Sequence, residues 1–319
     1  MSQKAQTAQK PAGNVFKRIG LSLQKNGELL LLCIPALVGY IMFHYIPMFG
    51  VITAFIDYKP AKGFLGSKWM GLYNFQYLFK SVELQRIVVN TVTYSLIFIV
   101  TGFVANLLIA MLLHEIADHR SALKYYQTTM VFPNFMSVVI IGYITYAIFN
   151  PTLGVLNAIR GTLGLEAVNV YMDQKPWRFI LTSVNLWWGV GMGSMLYFAA
   201  LIGIDASLYE AAKIDGANRV QQIIHISLPG LRTIISIQLI LSLSGIFSGS
   251  FGLFYTIPRN QQILYPVTDI IETYTYRGLV NARYSATAAV GLTQNLVGFV
   301  LIMITNGIVR KISPDDSLF

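Results

Sequence analysis

An all-α membrane protein with six transmembrane helices is the fold class this sequence predicts, and three observations carry it. Charged residues make up only 12% of the 319 positions, about half the roughly 25% usual in water-soluble domains. Hydrophobic residues reach 55%. They are gathered into six charge-free runs, each longer than the roughly 20 residues a helix needs to cross a hydrocarbon core. A segment in lipid must satisfy its own backbone polar groups, so these runs are helices rather than isolated strands.

The first run, Leu29 to Ile56, follows Lys17, Arg18 and Lys25. It is too long for the core of a cleaved leader and has no small-residue cleavage site, so it reads as a retained span. Before it lies a tail, residues 1–27, whose first 16 positions are rich in Gln, Lys and Ala and are expected to lack fixed structure. The second run is Ile87 to Leu113. The third, Tyr125 to Ile159, is over-long; Pro133 and the turn at Asn150-Pro151 narrow the expected span to Thr129–Phe149. Phe179 to Ile204, Thr233 to Pro258 and Tyr284 to Val309 complete the set. A spanning domain over 28–312 and a short tail over 313–319 follow, with no internal repeat and no second soluble domain in view.

Net charge is +9, but the bases sit singly or in pairs between apolar runs, which argues against nucleic acid and for interfacial loops. Cys33 is the sole cysteine, so no intrachain disulfide framework exists. His44, His114, His119 and His225 show no metal-ligand spacing, and no metal site is expected. Orientation cannot be read from charge. With the N-terminus inside, Lys and Arg total 12 on the inner side and 11 on the outer, and the positive-inside rule needs a clear bias.

The segment between the fourth and fifth runs, 205–229, is the most informative: DASLYEAAKIDGANRVQQIIHISLPG begins at Asp205. Ser207 and Glu210 fit a capping box. A short helix is expected to run to about Asp215, where Gly216 supplies a left-handed stop. Asn218, with Gln221 three positions on, can cap a second short helix ending near Leu228-Pro229. The plainer alternative is that Glu210 only caps a helix and Gly216 only ends one; a docking helix must itself be well capped, so both can hold.

The spacing of Glu210-Ala211-Ala212, Gly216, Ile226, Leu228 and Pro229 resembles the EAA loop of binding-protein-dependent ABC importer permeases. Gly71–Phe79 (GLYNFQYLF), the NTVTYSL stretch at Asn90, Phe149–Asn157 (FNPTLGVLN), YFAALIGID before the loop and DIIETYTYRGL from Asp269 look like the MalF/LplB-type carbohydrate permeases. The resemblance implies a MetI-like six-span permease fold and import of a carbohydrate, an oligosaccharide or polysaccharide fragment. Loop 205–229 and both termini would be cytoplasmic in a cell-membrane protein. Glu210, Ala211, Ala212, Asp215 and Gly216 would dock an ATPase subunit. It further implies a second permease, two ATPase subunits that hold the ATP and Mg, and an extracytoplasmic solute-binding protein. The large periplasmic insertion of some MalF-type proteins is missing, because the first loop spans only about 30 residues.

No Asp, Glu, Lys or Arg lies within a run, which disfavours an ion-coupled transporter and suits a neutral solute path. Candidate path residues are Asn185, Trp188 and Met192 on one helical face, with Tyr197 nearby and Trp187 a weaker case. Aromatic faces can stack on sugar rings while amides bond hydroxyls; interfacial anchoring is the rival role for the tryptophans. Gln238, Ser242, Gly245 and Gly249 form a small or polar stripe that, with Gly189 and Gly193, would favour close helix packing over pore lining. Asn295 and Gln294 are similar cases. There is no G-x-x-x-x-G-K-[ST] and no nucleophile–base pair, so no catalysis and no cofactor are expected in the chain itself.

Overall fold

The protein is described by a computed structural model that covers residues 27–28 and 31–312. The expected disorder of residues 1–16 and the tail over 313–319 lie outside those residues. The chain divides into two compact units, one ending at Ile52 and the other beginning at Thr53. The first holds most of helix α1, Leu31–Phe55, which tightens from a π-helical turn at Ile41–Tyr45 to 3-10 geometry over Phe49–Phe55.

The second unit opens with a two-stranded antiparallel ribbon, β1 (Ile56–Asp57) against β2 (Lys68–Trp69), in which Ile56 faces Trp69. The sequence does not announce it, since two-residue strands carry no alternating pattern. After α2 (Tyr73–Lys80) comes α3, Val82–Glu115. This helix outruns its apolar run at both ends. Ser81 caps it by accepting the Leu84 N–H at 3.3 Å, which lets Glu83 and Arg86 join the first turns.

The third apolar run is not one straight helix. α4 (Arg120–Val131) continues as a 3-10 turn, Phe132–Phe135, and α5 (Val138–Phe149) leaves at 99°. Pro133 cannot donate in that turn, and Ser137, in extended conformation, restarts the helix by accepting from the Ile140 N–H. The fifth run is broken as well. α8 (Ala206–Ile214) and α9 (Arg219–Gly230) lead through a 64° bend into α10 (Arg232–Ser244). Helix then stops at Gly245 and resumes only as α11 (Phe251–Thr256), capped by Ser250. The expected stripe from Gln238 to Gly249 therefore ends as a helical stripe at Ser244, because two glycines and two serines in Gly245–Ser250 favour loop over helix. α6 (Val155–Thr162), α7 (Trp177–Ile202), α12 (Ile271–Val280) and α13 (Tyr284–Ile312) are the remaining helices of eight or more residues among those described. Four helices are long and apolar enough to span a membrane, and up to six spans result if each bent pair is counted as one.

Helices α3 and α7 pack along much of their length, and the buried side chains fall into three clusters. One gathers Tyr94, Ile141, Tyr171, Trp177, Leu253 and Phe254. A second joins Ala110, Leu113, Phe198, Leu201 and Leu231 at the opposite end of α3 and α7. The third, Leu84, Ile87, Ile271, Tyr274 and Val290, fastens α12 and α13 to the start of α3. There the segment before α12 is tied down by side chains. Asn90 donates to the Asp269 and Pro266 carbonyls at 3.1 Å, and Tyr94 donates to the Val267 carbonyl at 2.8 Å. Asp269 is fully buried and pairs with Arg277, whose Nη1 lies 2.8 Å from Oδ1. A buried carboxylate needs such a partner to stay charged.

Candidate functional site

Two places in the second unit gather the candidate residues. The first is the pair of short helices between α7 and α10. Helix α8 begins at Ala206, and its cap is Asp205, which accepts the Ser207 N–H at 3.0 Å. The expected capping box of Ser207 with Glu210 does not form. Asp205 and Ser207 compete for the start of the helix, and the aspartate gains additionally from the positive end of the helix dipole. That hydrogen bond holds the Asp205 carboxyl below its ordinary pKa.

The other end of α8 follows the expectation. Gly216 adopts φ +79°. The Ala217 N–H reaches back to the Ala212 carbonyl at 2.9 Å and the Gly216 N–H to Lys213 at 3.1 Å, a Schellman closure that a Cβ at position 216 would strain. One residue later Asn218 and Gln221 close the capping box that starts α9, at 2.9 and 2.7 Å. Two tight turns thus hold α8 and α9 in one fixed hairpin.

The hairpin is fastened to the end of α3. Arg219 Nη1 meets Glu115 Oε2 at 2.9 Å and the Tyr209 ring sits 5.4 Å from that of His114, while the Tyr209 hydroxyl ties α8 to α9 at 2.9 Å from Ser227 Oγ. Among the described residues its outer surface has no such partners. Glu210, Ala211, Asp215 and Gly216 are exposed and Ala212 is half-buried. Ala212, Asp215, Gly216, Gln221 and His225 border a cleft of about 310 Å³. Leu208, Ile214, Val220 and Ile224 are also exposed, Ile214 to 87%. Large apolar side chains are thus left uncovered on both short helices. The capped loop pointed to this face, but the exposure of Leu208 and Ile214 was hidden, because helical spacing alone cannot say which apolar face is covered.

The second place is a groove of about 350 Å³ between α3, α7 and the last turns of α10. Tyr197, Gln238 and Ser242 line it, joined by Ser95, Asn106 and Ser248. No acidic or basic side chain lines it. Asn106 Oδ1 is buried without a hydrogen-bond partner among the described residues. Its amide rests on α7 where Gly193 leaves room: a Cβ there would come within 2.4 Å of Asn106 Nδ2. Gly193 was expected to serve helix packing, and that close approach is what it allows. Asn106 itself was passed over, as a single amide in a long apolar run carries no periodic signal.

Gly245 lines the groove as well, and the remaining candidates do not. Trp188 packs against the first buried cluster, and its indole N–H has no hydrogen-bond partner among the described residues. Asn185 is half-buried, Met192 is exposed, and the exposed Asn295 donates to the Gly291 carbonyl at 2.9 Å. Gly249 and Gln294 come together elsewhere, beside the break that follows α10. Glu272 Oε1 accepts from the Gly249 N–H and from Gln294 Nε2, each at 2.7 Å, and Gln294 also donates to the Phe247 carbonyl. A carboxylate and an amide thus stand in for the backbone bonds that the helix gave up.

Residues 119–314 match the family described as binding-protein-dependent transport system inner membrane component. Among curated proteins, the chain is 32% identical over 304 residues to the polygalacturonan/rhamnogalacturonan transport system permease protein YteP of Bacillus subtilis (strain 168), covering 94% of this chain and 92% of that one. It is 34% identical over 297 residues to protein LplB of the same organism, covering 92% of each. Among solved structures, it is similar to a bacterial ABC transporter involved in the import of the acidic polysaccharide alginate. The TM-score is 0.84 and the identity 31%, over 93% of this chain and 99% of that one. A second crystal structure, of a bacterial alginate ABC transporter in complex with alginate pentasaccharide-bound periplasmic protein, matches with a TM-score of 0.83 and 30% identity.

Proposed function

The chain belongs to the family of binding-protein-dependent transport system inner membrane components, and from that premise we propose that it is the membrane-spanning permease of an ATP-driven importer of oligosaccharides. The observation that carries this reading is the α8–α9 hairpin: a rigid, doubly capped element fixed to α3 and presenting uncovered apolar and acidic side chains. Its relatives include permeases of polysaccharide-import systems, which supports a carbohydrate cargo delivered by a solute-binding protein.

In this reading an ATPase subunit covers Glu210, Ala211, Ala212, Asp215 and Gly216 together with Leu208 and Ile214, which places the hairpin and both termini in the cytoplasm. ATP and Mg belong to two such subunits, and the permease itself performs no catalysis. A second permease completes the path. The amide and hydroxyl groups of Asn106, Gln238, Ser242 and Ser95 can exchange hydrogen bonds with a hydroxylated solute as it passes, and their neutrality spares that solute a charged trap. Asn185, Trp188, Met192 and Asn295 lie outside this groove.

Substrate-stimulated ATP hydrolysis by the reconstituted complex tests the docking. Glu210→Lys reverses a charge on the docking face, and Gly216→Val forces a β-branched residue into the left-handed turn. Both are expected to reduce the stimulated rate at least about tenfold, the effect of losing roughly 1.4 kcal/mol of coupling. Wild-type stimulation in both variants would remove the hairpin from the coupling interface.

A further inference from the structure

The α8–α9 hairpin reaches two walls of the groove through the chain itself. It starts four residues after α7 ends and passes at Leu231 into α10, which carries Gln238 and Ser242. The third wall, α3, has no such connection. After Glu115 the chain turns through Ala117 and His119 into α4. Asn106 sits nine residues back along α3, about 14 Å at the helical rise.

Side chains alone therefore join α3 to the hairpin. Ala110 and Leu113 share a buried cluster with Phe198, Leu201 and Leu231. Apolar packing is non-directional, so it keeps α3 close without fixing how α3 turns when the hairpin moves. The directional contact is at the tip, where Arg219 Nη1 meets Glu115 Oε2. The gap bordered by Glu115, Tyr209, Arg219 and Ser227 is only about 20 Å³, room for little more than one water.

The placement of these two charges is locally wrong. Glu115 is the last residue of α3, and Arg219 is the first of α9. A helix dipole favours cations at the C-terminus and anions at the N-terminus, so each side chain opposes the dipole of its own helix. Both are exposed to water, where an ion pair adds little to folding. A local rule broken twice for one contact, with little return in stability, marks a contact that serves function. Asn218 and Gln221 hold Arg219 in place, since their capping box sets the first turn of α9.

We infer that the Glu115–Arg219 pair is the link that makes α3 follow the hairpin, so that ATP-driven movement of the hairpin sets the position of Asn106 in the groove. Both are positioning residues, for neither lines the groove. The inference rests on the importer reading and adds to it the route by which the third wall is moved.

The test uses the whole complex with its binding protein in proteoliposomes, with trigalacturonate and maltotriose as probes. Uptake and ATP hydrolysis are measured together, and the quantity read is sugar imported per ATP hydrolysed. Glu115→Arg sets two cations face to face and should lower that ratio about tenfold or more, with the ATPase subunits still bound. Adding Arg219→Glu should restore the ratio to within about threefold of wild type. The swapped pair places each charge at the helix end that favours it, so its Tm should be no lower than that of the wild type. In a Cys33→Ser background, Glu115→Cys and Arg219→Cys joined by a short bifunctional maleimide should also import, because the two helices move together.

An unchanged ratio in Glu115→Arg overturns the link, as does a swap no better than that single variant. Arrest by the cross-link would show that the contact must open, and loss of ATPase subunits from Glu115→Arg would assign the pair to docking; either overturns the proposal. Each of these leaves the importer standing. ATP-dependent import of neither probe by the wild-type complex removes the importer reading, and the link with it.

Discussion

Asp205 and Gly216 set the two ends of a nine-residue helix, and each does so by a single local interaction. The cap at Asp205 depends on charge. Its carboxyl is held below the ordinary pKa because the Ser207 backbone N–H donates to it. A carboxyl whose folded pKa is depressed adds stability that is fully present above the unfolded value and is lost as pH falls through the folded one. The start of α8 is therefore expected to loosen only below the usual carboxylate range near 4. In Asp205→Asn, which keeps an acceptor without the charge, amide exchange over residues 206–209 should be nearly independent of pH after correction for intrinsic rates. In the wild type, protection should fall as the carboxyl protonates. An equal acid response in the two proteins would show that the cap is not the titrating element.

At the scale of elements, the breaks say more than the helices. The third and fifth apolar runs look continuous in sequence, yet α4–α5 turns by 99° and six residues separate the end of α10 at Ser244 from the start of α11 at Phe251. An interrupted helix in an apolar setting needs replacement partners for its backbone. After α10 those partners are Glu272 on α12 and Gln294 on α13. Glu272→Ala should destabilise the protein by about 1–3 kcal/mol, the cost of leaving the Gly249 N–H and the Gln294 amide without their acceptor. Gln294→Leu should cost a similar amount. The double variant should fall well short of the sum, since both act through one network. Denaturation of the purified protein in detergent measures all three, and strict additivity would refute the shared network.

At the scale of the whole molecule, the level count of basic residues leaves topology to be fixed by the hairpin alone. Cys33 is the only cysteine, so a Cys33→Ser background allows single-site labelling. Gln261→Cys should react with a membrane-impermeant maleimide in intact cells, and Ser207→Cys only after permeabilisation. The reverse pattern would invert the protein, and with it the ATPase docking face. The same experiment therefore bears on every functional assignment made for the loops.

Composition and the lengths of the apolar runs determined the membrane class and six spans by themselves, because the demand that lipid places on a backbone depends on local sequence alone. The turn at Gly216 and the box at Asn218–Gln221 were legible for the same reason: each is settled by residues within one turn of helix. The tertiary structure decided what depends on distant neighbours. It chose Asp205 over Ser207 as the cap, broke the fifth run where Glu272 and Gln294 could receive it, and drew Tyr197, Gln238 and Ser242 to Asn106 while Trp188 went to a buried cluster. A side chain's role is fixed by which faces of other helices reach it, and a linear pattern gives a face its direction but not its partner.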